Sequence, residues 1–125
     1  MTLIKSSMNN ERVFAISFAG VYPHYVAKVE KKGRSVEELN QVIAWLTGYT
    51  AEGLEDVIAG EVSFRDFFED APRLNPNVAL ITGVVCGIRV ENIDDPLVQK
   101  IRWLDKLVDE LAKGKKMEKI LRTAE

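Results

Sequence analysis

Between Asp94 and Lys116 the chain reads D-D-P-L-V-Q-K-I-R-W-L-D-K-L-V-D-E-L-A-K-G-K-K, and its apolar residues return at positions 97, 101, 104, 108 and 111. Alternating steps of four and three put Leu97, Ile101, Leu104, Val108 and Leu111 on one stripe of a helix, with Lys, Arg, Asp and Glu over the rest. Asp95 ahead of Pro96 marks the start, and Gly114 interrupts the pattern at the far end. A helix from Pro96 to Lys113 is about 27 Å long, enough to cross a domain of this size. Trp103 and Leu107, four residues apart, form a second, flanking line. The pattern assigns Leu104 and Val108 to the core, and Trp103 and Leu107 to a candidate interface with a second subunit or partner.

The 125 residues are the size of one ordinary domain, and 46% apolar with 29% charged residues is a globular composition. A formal net charge of -2 gives no global electrostatic case for nucleic acid or an anionic membrane. One cysteine excludes an internal disulfide and fits a cytoplasmic protein. The start M-T-L-I-K-S-S lacks the layout of a secretory signal, and Met8 before Asn9-Asn10-Glu11 reads as an alternative start. Residues 1–11 are therefore expected to be a disordered extension, and residues 12–125 one helical domain. The longest uncharged run, Leu74 to Ile88, contains Pro76, Gly83 and Gly87 and is too short and interrupted to span a bilayer.

Val13, Phe14, Ile16 and Phe18 form an apolar entry segment, extended or helical. Pro23 reads as the first residue of a helix through Tyr22, Val26 and Val29 to Lys32, stopped by Gly33. Ser35-Val36-Glu37-Glu38 is a capping box ahead of Leu39, Val42, Ile43 and Leu46, with Gly48 as the C-terminal cap. Thr50 caps a third helix to Gly60, and Ser63 with Asp66 a fourth that carries Phe64, Phe67 and Phe68 and ends before Pro72. Asn75-Pro76 would open a buried helix, although Ile81-Thr82-Gly83-Val84-Val85 has equally the composition of a strand. Met117, Ile120 and Leu121 suggest a short final helix. The pattern as a whole predicts an all-α fold, a single compact bundle of about six short-to-medium helices.

Ala44, Gly48 and Leu54 reproduce the spacing of a helix-turn-helix reader. The would-be recognition helix, however, begins Thr50-Ala51-Glu52-Gly53-Leu54-Glu55-Asp56, three carboxylates with no Lys or Arg, so specific DNA binding is not expected. His24 is the sole histidine, and a zinc site or a Cys-His nucleophile pair would have to join it to Cys86 from far along the chain. No catalytic residue, cofactor site or metal site is assigned. Glu91, Asp94 and Asp95 resemble an acid pair, but an Asp before a helical Pro is an ordinary helix start. Tyr22, Tyr25 and Tyr49 supply flat apolar area with a polar end; with His24 and Cys86, Tyr22 and Tyr25 form the candidate ligand pocket. Lys28, Lys31, Lys32 and Arg34 make one basic cluster, and Lys113, Lys115, Lys116, Lys119 and Arg122 another. Both straddle a glycine that ends a helix, where cations stabilise the terminal carbonyls, and neither is interleaved with an aromatic residue that would stack a base.

Val21-Tyr22-Pro23-His24-Tyr25-Val26, Lys32-Gly33-Arg34, Trp45-Leu46-Thr47-Gly48-Tyr49, Asn75-Pro76-Asn77, the stretch Leu80 to Gly87 and the stretch Leu104 to Lys115 together resemble a family of small bacterial proteins catalogued as domain of unknown function 2200. The likeness runs from Arg12 to Arg122. It implies a bacterial, cytoplasmic, mainly helical domain and supplies no activity, cofactor or catalytic residue. The function expected from the residues is a non-enzymatic binding or protein-interaction module, with self-association through an apolar face. The alternative is a small ligand-binding protein or enzyme with its pocket near Tyr22, His24, Tyr25 and Cys86.

Overall fold

Oxygen-bearing side chains open five helices. Ser17 accepts a hydrogen bond from the amide of Gly20, Ser35 from Glu38, Thr50 from Gly53, Ser63 from Asp66, and Asp95 from Leu97 and Val98. Each satisfies an amide that the first turn of a helix leaves without an internal partner. The computed structural model describes residues 15–85 and 87–123. Within them these caps precede α1 (Phe18–Lys31), α2 (Val36–Thr47), α3 (Ala51–Ala59), α4 (Phe64–Glu69) and α5 (Pro96–Ala112), and α6 (Met117–Ile120) follows Lys116. The fold is compact and mostly helical, as the capping pattern predicts. Val13, Phe14 and the proposed extension 1–11 lie outside the described residues.

The start of α1 differs from the expectation. Ser17 is its N-cap and Phe18 its first residue, so Pro23 lies inside the helix. Proline has no amide to return to the carbonyl of Ala19, a loss that normally breaks a helix. Tertiary packing overrides it here. Phe18 and Val29 are fully buried and Tyr25 nearly so, and the Phe18 amide bonds the Val62 carbonyl at 2.8 Å while Phe64 returns a bond to Ile16 at 2.9 Å. Ser17 and Ser63 thus face one another in an isolated antiparallel bridge that joins the starts of α1 and α4. The Phe18 ring stacks on Phe67 at 4.1 Å between centroids, and Tyr49 covers Phe67 at 5.0 Å.

The uncharged run 74–88 is neither one helix nor one strand. Asn75 caps a 3-10 turn, Pro76–Leu80, and the chain then extends into a two-strand hairpin of β1 (Val84–Val85) and β2 (Ile88–Arg89). Gly83 and Gly87 adopt φ of +106° and +77°, conformations that end a helix and turn a hairpin. A second 3-10 turn, Val90–Asn92, leads to α5.

Helix α5 lies at the centre, packed against α1, α2, α4, α6, the hairpin and the second 3-10 turn. Its stripe is buried at Ile101, Leu104, Val108 and Leu111, with Leu97 half-buried. Because it has neighbours on several sides, its flanking line is covered too: Leu107 is 0% exposed. Leu107 is therefore core and borders no outer surface, a correction to the interface read from the sequence; Trp103 is partly buried against the same core.

Candidate functional site

The two basic clusters, some eighty residues apart in sequence, meet at one end of the bundle. Tyr25 donates a hydrogen bond to Asp105 Oδ1 at 2.8 Å, and Lys28 Nζ reaches Asp109 Oδ1 at 3.4 Å. A step of three along α1 matches a step of four along α5 in the same direction, so these helices run parallel. Their carboxy-terminal ends, each followed by a glycine with φ near the left-handed region at Gly33 (+81°) and Gly114 (+89°), emerge side by side. Between them lies an open cleft of about 720 Å³ lined by Lys28, Lys31, Lys32, Asp109, Ala112, Lys113 and Gly114.

Arg34 fixes the floor of this end. One guanidinium nitrogen donates to the carbonyls of Leu111 (3.2 Å) and Lys115 (2.8 Å), while the others hold the Glu38 carboxylate at 2.8 to 3.2 Å. That fork is fully engaged, so the cleft offers ammonium groups. Lys28 and Lys113 both pair with Asp109, at 3.4 and 3.1 Å. Burial works against the Asp109 charge, but the hydrogen bonds and charges of Lys113 and Lys28 outweigh it and hold the carboxyl below its usual range. Lys31 and Lys32 are exposed and carry no ion pair among the described residues. An adjoining groove is lined by Lys106, Asp109, Glu110, Lys113, Gly114 and Lys115. Beneath it the buried Glu110 accepts from Arg122 at 2.6 Å, with Lys115 at 3.3 Å and Lys106 at 4.0 Å, so one carboxylate anchors three cations of this end.

The residues singled out as a ligand pocket are not gathered into one. Tyr22 turns toward α2 and donates to Asn40 Oδ1 at 2.6 Å; burial raises its hydroxyl pKa, and the Asn40 bond opposes the rise. His24 is exposed on α1. Tyr25 faces α5 and lines a separate slot of about 240 Å³ with Ile16, Val21, Phe64, Val98, Ile101, Arg102 and Asp105. Cys86 lies outside the described residues. The acids near α5 have structural partners: Glu91 accepts from the Gly83 amide at 3.0 Å, the main cause of its lowered pKa, and Asp95 caps the helix. No cluster of three or more His, Cys, Asp or Glu suited to a metal occurs among the described residues, and no helix there is long and apolar enough to cross a membrane. Sequence reasoning saw both lysine clusters but not their convergence, which depends on α1 and α5 being parallel neighbours.

The structure is similar to the crystal structure of uncharacterized protein SP1917, with a TM-score of 0.84 and 47% identity over 89% of this chain and 91% of that one. Among curated proteins none matches. The family model described as an uncharacterized protein conserved in bacteria, domain of unknown function 2200, matches residues 12–122. With nearly the whole chain matched, the protein belongs to that bacterial family.

Proposed function

We propose that the chain is a non-enzymatic, cytoplasmic interaction module that docks an acidic protein surface in the cleft between the ends of α1 and α5. The observation that carries this reading is the convergence of Lys28, Lys31, Lys32 and Lys113 from two remote segments into one open cleft. The cleft chemistry favours carboxylates over nucleotides. Its lining contains no aromatic ring to stack a base. Flexible ammonium groups on long stems suit the spread-out charge of a protein face.

The test is fluorescence anisotropy of a labelled hexaglutamate peptide. Binding that weakens with salt and is lost in Lys31→Gln, Lys32→Gln, Lys113→Gln supports the reading. Absence of binding to the parent at low salt, or binding indifferent to the triple variant, overturns it.

A second reading rests on the Tyr25 slot, whose apolar walls end in the Tyr25–Asp105–Arg102 hydrogen-bonded trio. It would admit a small apolar molecule with a polar end. Ligand-induced chemical shifts confined to Tyr25, Val98 and Ile101 would support it, and a fragment screen without hits there would remove it.

A further inference from the structure

The molecule is electrically bipolar along α1. Its carboxy end holds the basic cleft. Its amino end holds the opposite charge: between Ala51 and Ala71 the chain carries seven carboxylates, Glu52, Glu55, Asp56, Glu61, Asp66, Glu69 and Asp70, against the single Arg65. The fold ties that segment to the start of α1 at its middle and just ahead of its first residue. Val62 accepts from the Phe18 amide at 2.8 Å, and Tyr49, just before α3, reaches Phe18 through the Phe67 ring. On α3, Glu52, Glu55 and Asp56 follow the i, i+3, i+4 spacing of one face, and all three are exposed. They carry no ion pair among the described residues. The 14 residues of α1 separate the two poles by about 21 Å.

We infer that the occupant of the basic cleft is a second copy of this chain, which presents the acidic face of α3 to Lys31, Lys32 and Lys113. The inference rests on the proposed role of the cleft as a dock for carboxylates and names the partner. Charge complementarity carries it: one copy holds both halves of the contact, at opposite ends. With a net charge of only -2, copies do not strongly repel one another overall. Because the two patches differ and lie at opposite poles, the contact is heterologous and repeats head to tail. Exposed ion pairs are individually weak, so the association is reversible and sensitive to salt.

Two sets of neutralising substitutions test this by sedimentation velocity: Lys31→Gln, Lys32→Gln, Lys113→Gln at the basic pole, and Glu52→Gln, Glu55→Gln, Asp56→Asn at the acidic pole. At about 0.01 M ionic strength, where the Debye length is about 30 Å, the parent should grow in mass with concentration beyond a dimer. Raising the salt to about 0.15 M shortens that length to about 8 Å and should weaken association about tenfold or more. Each variant alone should be monomeric, and the mixture should form a one-to-one pair and stop, since each variant keeps the pole the other lacks. All substituted positions are exposed, and circular dichroism checks that both variants keep their helices. Should one variant unfold, the other set still decides the outcome by its mass relative to the parent. A parent that stays monomeric at millimolar concentration and low salt overturns the inference, as does a folded variant that associates like the parent. If the parent is monomeric yet hexaglutamate binds the cleft, the dock stands and its partner is another protein. If hexaglutamate does not bind, the dock itself fails.

Discussion

Arg34, in the turn after α1, reaches across the bundle to donate to the carbonyl of Leu111 on α5, and the same nitrogen bonds Lys115 beyond the end of that helix. It closes the carboxy-terminal end of α5 and holds the two basic segments in register. Arg34→Ala removes both bonds, although Leu111 keeps the Gly114 amide at 3.1 Å, and should cost about 2 kcal/mol in a denaturant melt, within the range for hydrogen bonds to charged groups. Arg34→Lys should recover little, because an ammonium cannot serve the carbonyls and Glu38 in the same planar geometry. A lysine variant as stable as the parent would show that charge alone suffices.

Glu38 makes the same region sensitive to acid. The Arg34 guanidinium, the Ser35 amide and the Ser35 hydroxyl together lower its pKa from 4.5 to about 2. A depressed folded-state pKa contributes stability that is fully present above pH 4.5 and is lost as the pH falls toward 2. Asp109, held down by Lys113 and Lys28, adds a loss of the same sign. Stability should therefore decline through this window, and Glu38→Gln should flatten the decline when melts are compared between neutral pH and acid. An unchanged pH profile in the variant would show that Glu38 is not a significant contributor.

What was legible in the sequence was local. The capping box at Ser35 and the caps at Thr50, Ser63 and Asp95 could be placed because a cap, its partner amide and the following apolar period lie within a few residues. Pro23 misled for the same reason: its usual place at a helix start is a local rule, and the burial of Phe18 with the bonds to Val62 and Ile16 belongs to the tertiary fold. The basic cleft was hidden because periodicity reports which face of a helix is apolar and not which helices are parallel. Leu107 was misassigned since one helix wheel cannot reveal how many neighbours surround it.

Pro23 itself yields a prediction. Within α1 it removes one helical hydrogen bond, and its ring is exposed, so no packing depends on it. Pro23→Ala should restore the bond to the Ala19 carbonyl and raise stability by about 1 kcal/mol, after allowance for the greater freedom alanine gives the unfolded chain. A lower melting temperature in the variant would mean that the packing of Phe18 and Tyr25 requires the backbone geometry that proline imposes.

Leu107 and Trp103 should separate by mechanism. Leu107→Ala opens a cavity in a site that is 0% exposed and should cost about 2–5 kcal/mol regardless of chain concentration. Trp103 lies partly buried beside Val78, Ala79, Ile81, Glu91 and Gln99, so a polar replacement there should be milder. Equilibrium unfolding of both variants at two concentrations checks this, and equal losses would place Trp103 in the core as firmly as Leu107.

Gly48 and Gly33 both end a helix with φ near +80°, at +80° and +81°, yet their surroundings differ. A Cβ at Gly33 would meet nothing within 4 Å, whereas one at Gly48 would lie 2.8 Å from the Arg73 nitrogen and 3.0 Å from its carbonyl oxygen. That backbone cannot easily retreat, because Arg73 donates to the Thr47 carbonyl and Asn75 to Leu46, which fastens the chain after α4 onto the end of α2. Gly33→Ala should therefore cost only the left-handed conformation, about 1–2 kcal/mol. Gly48→Ala should add an overpacking term of about 1–3 kcal/mol. Denaturant melts of the two variants give the difference directly: equal losses would mean that the Arg73 segment moves aside, and hydrogen exchange at the Arg73 and Asn75 amides would then rise in Gly48→Ala as those two bonds open.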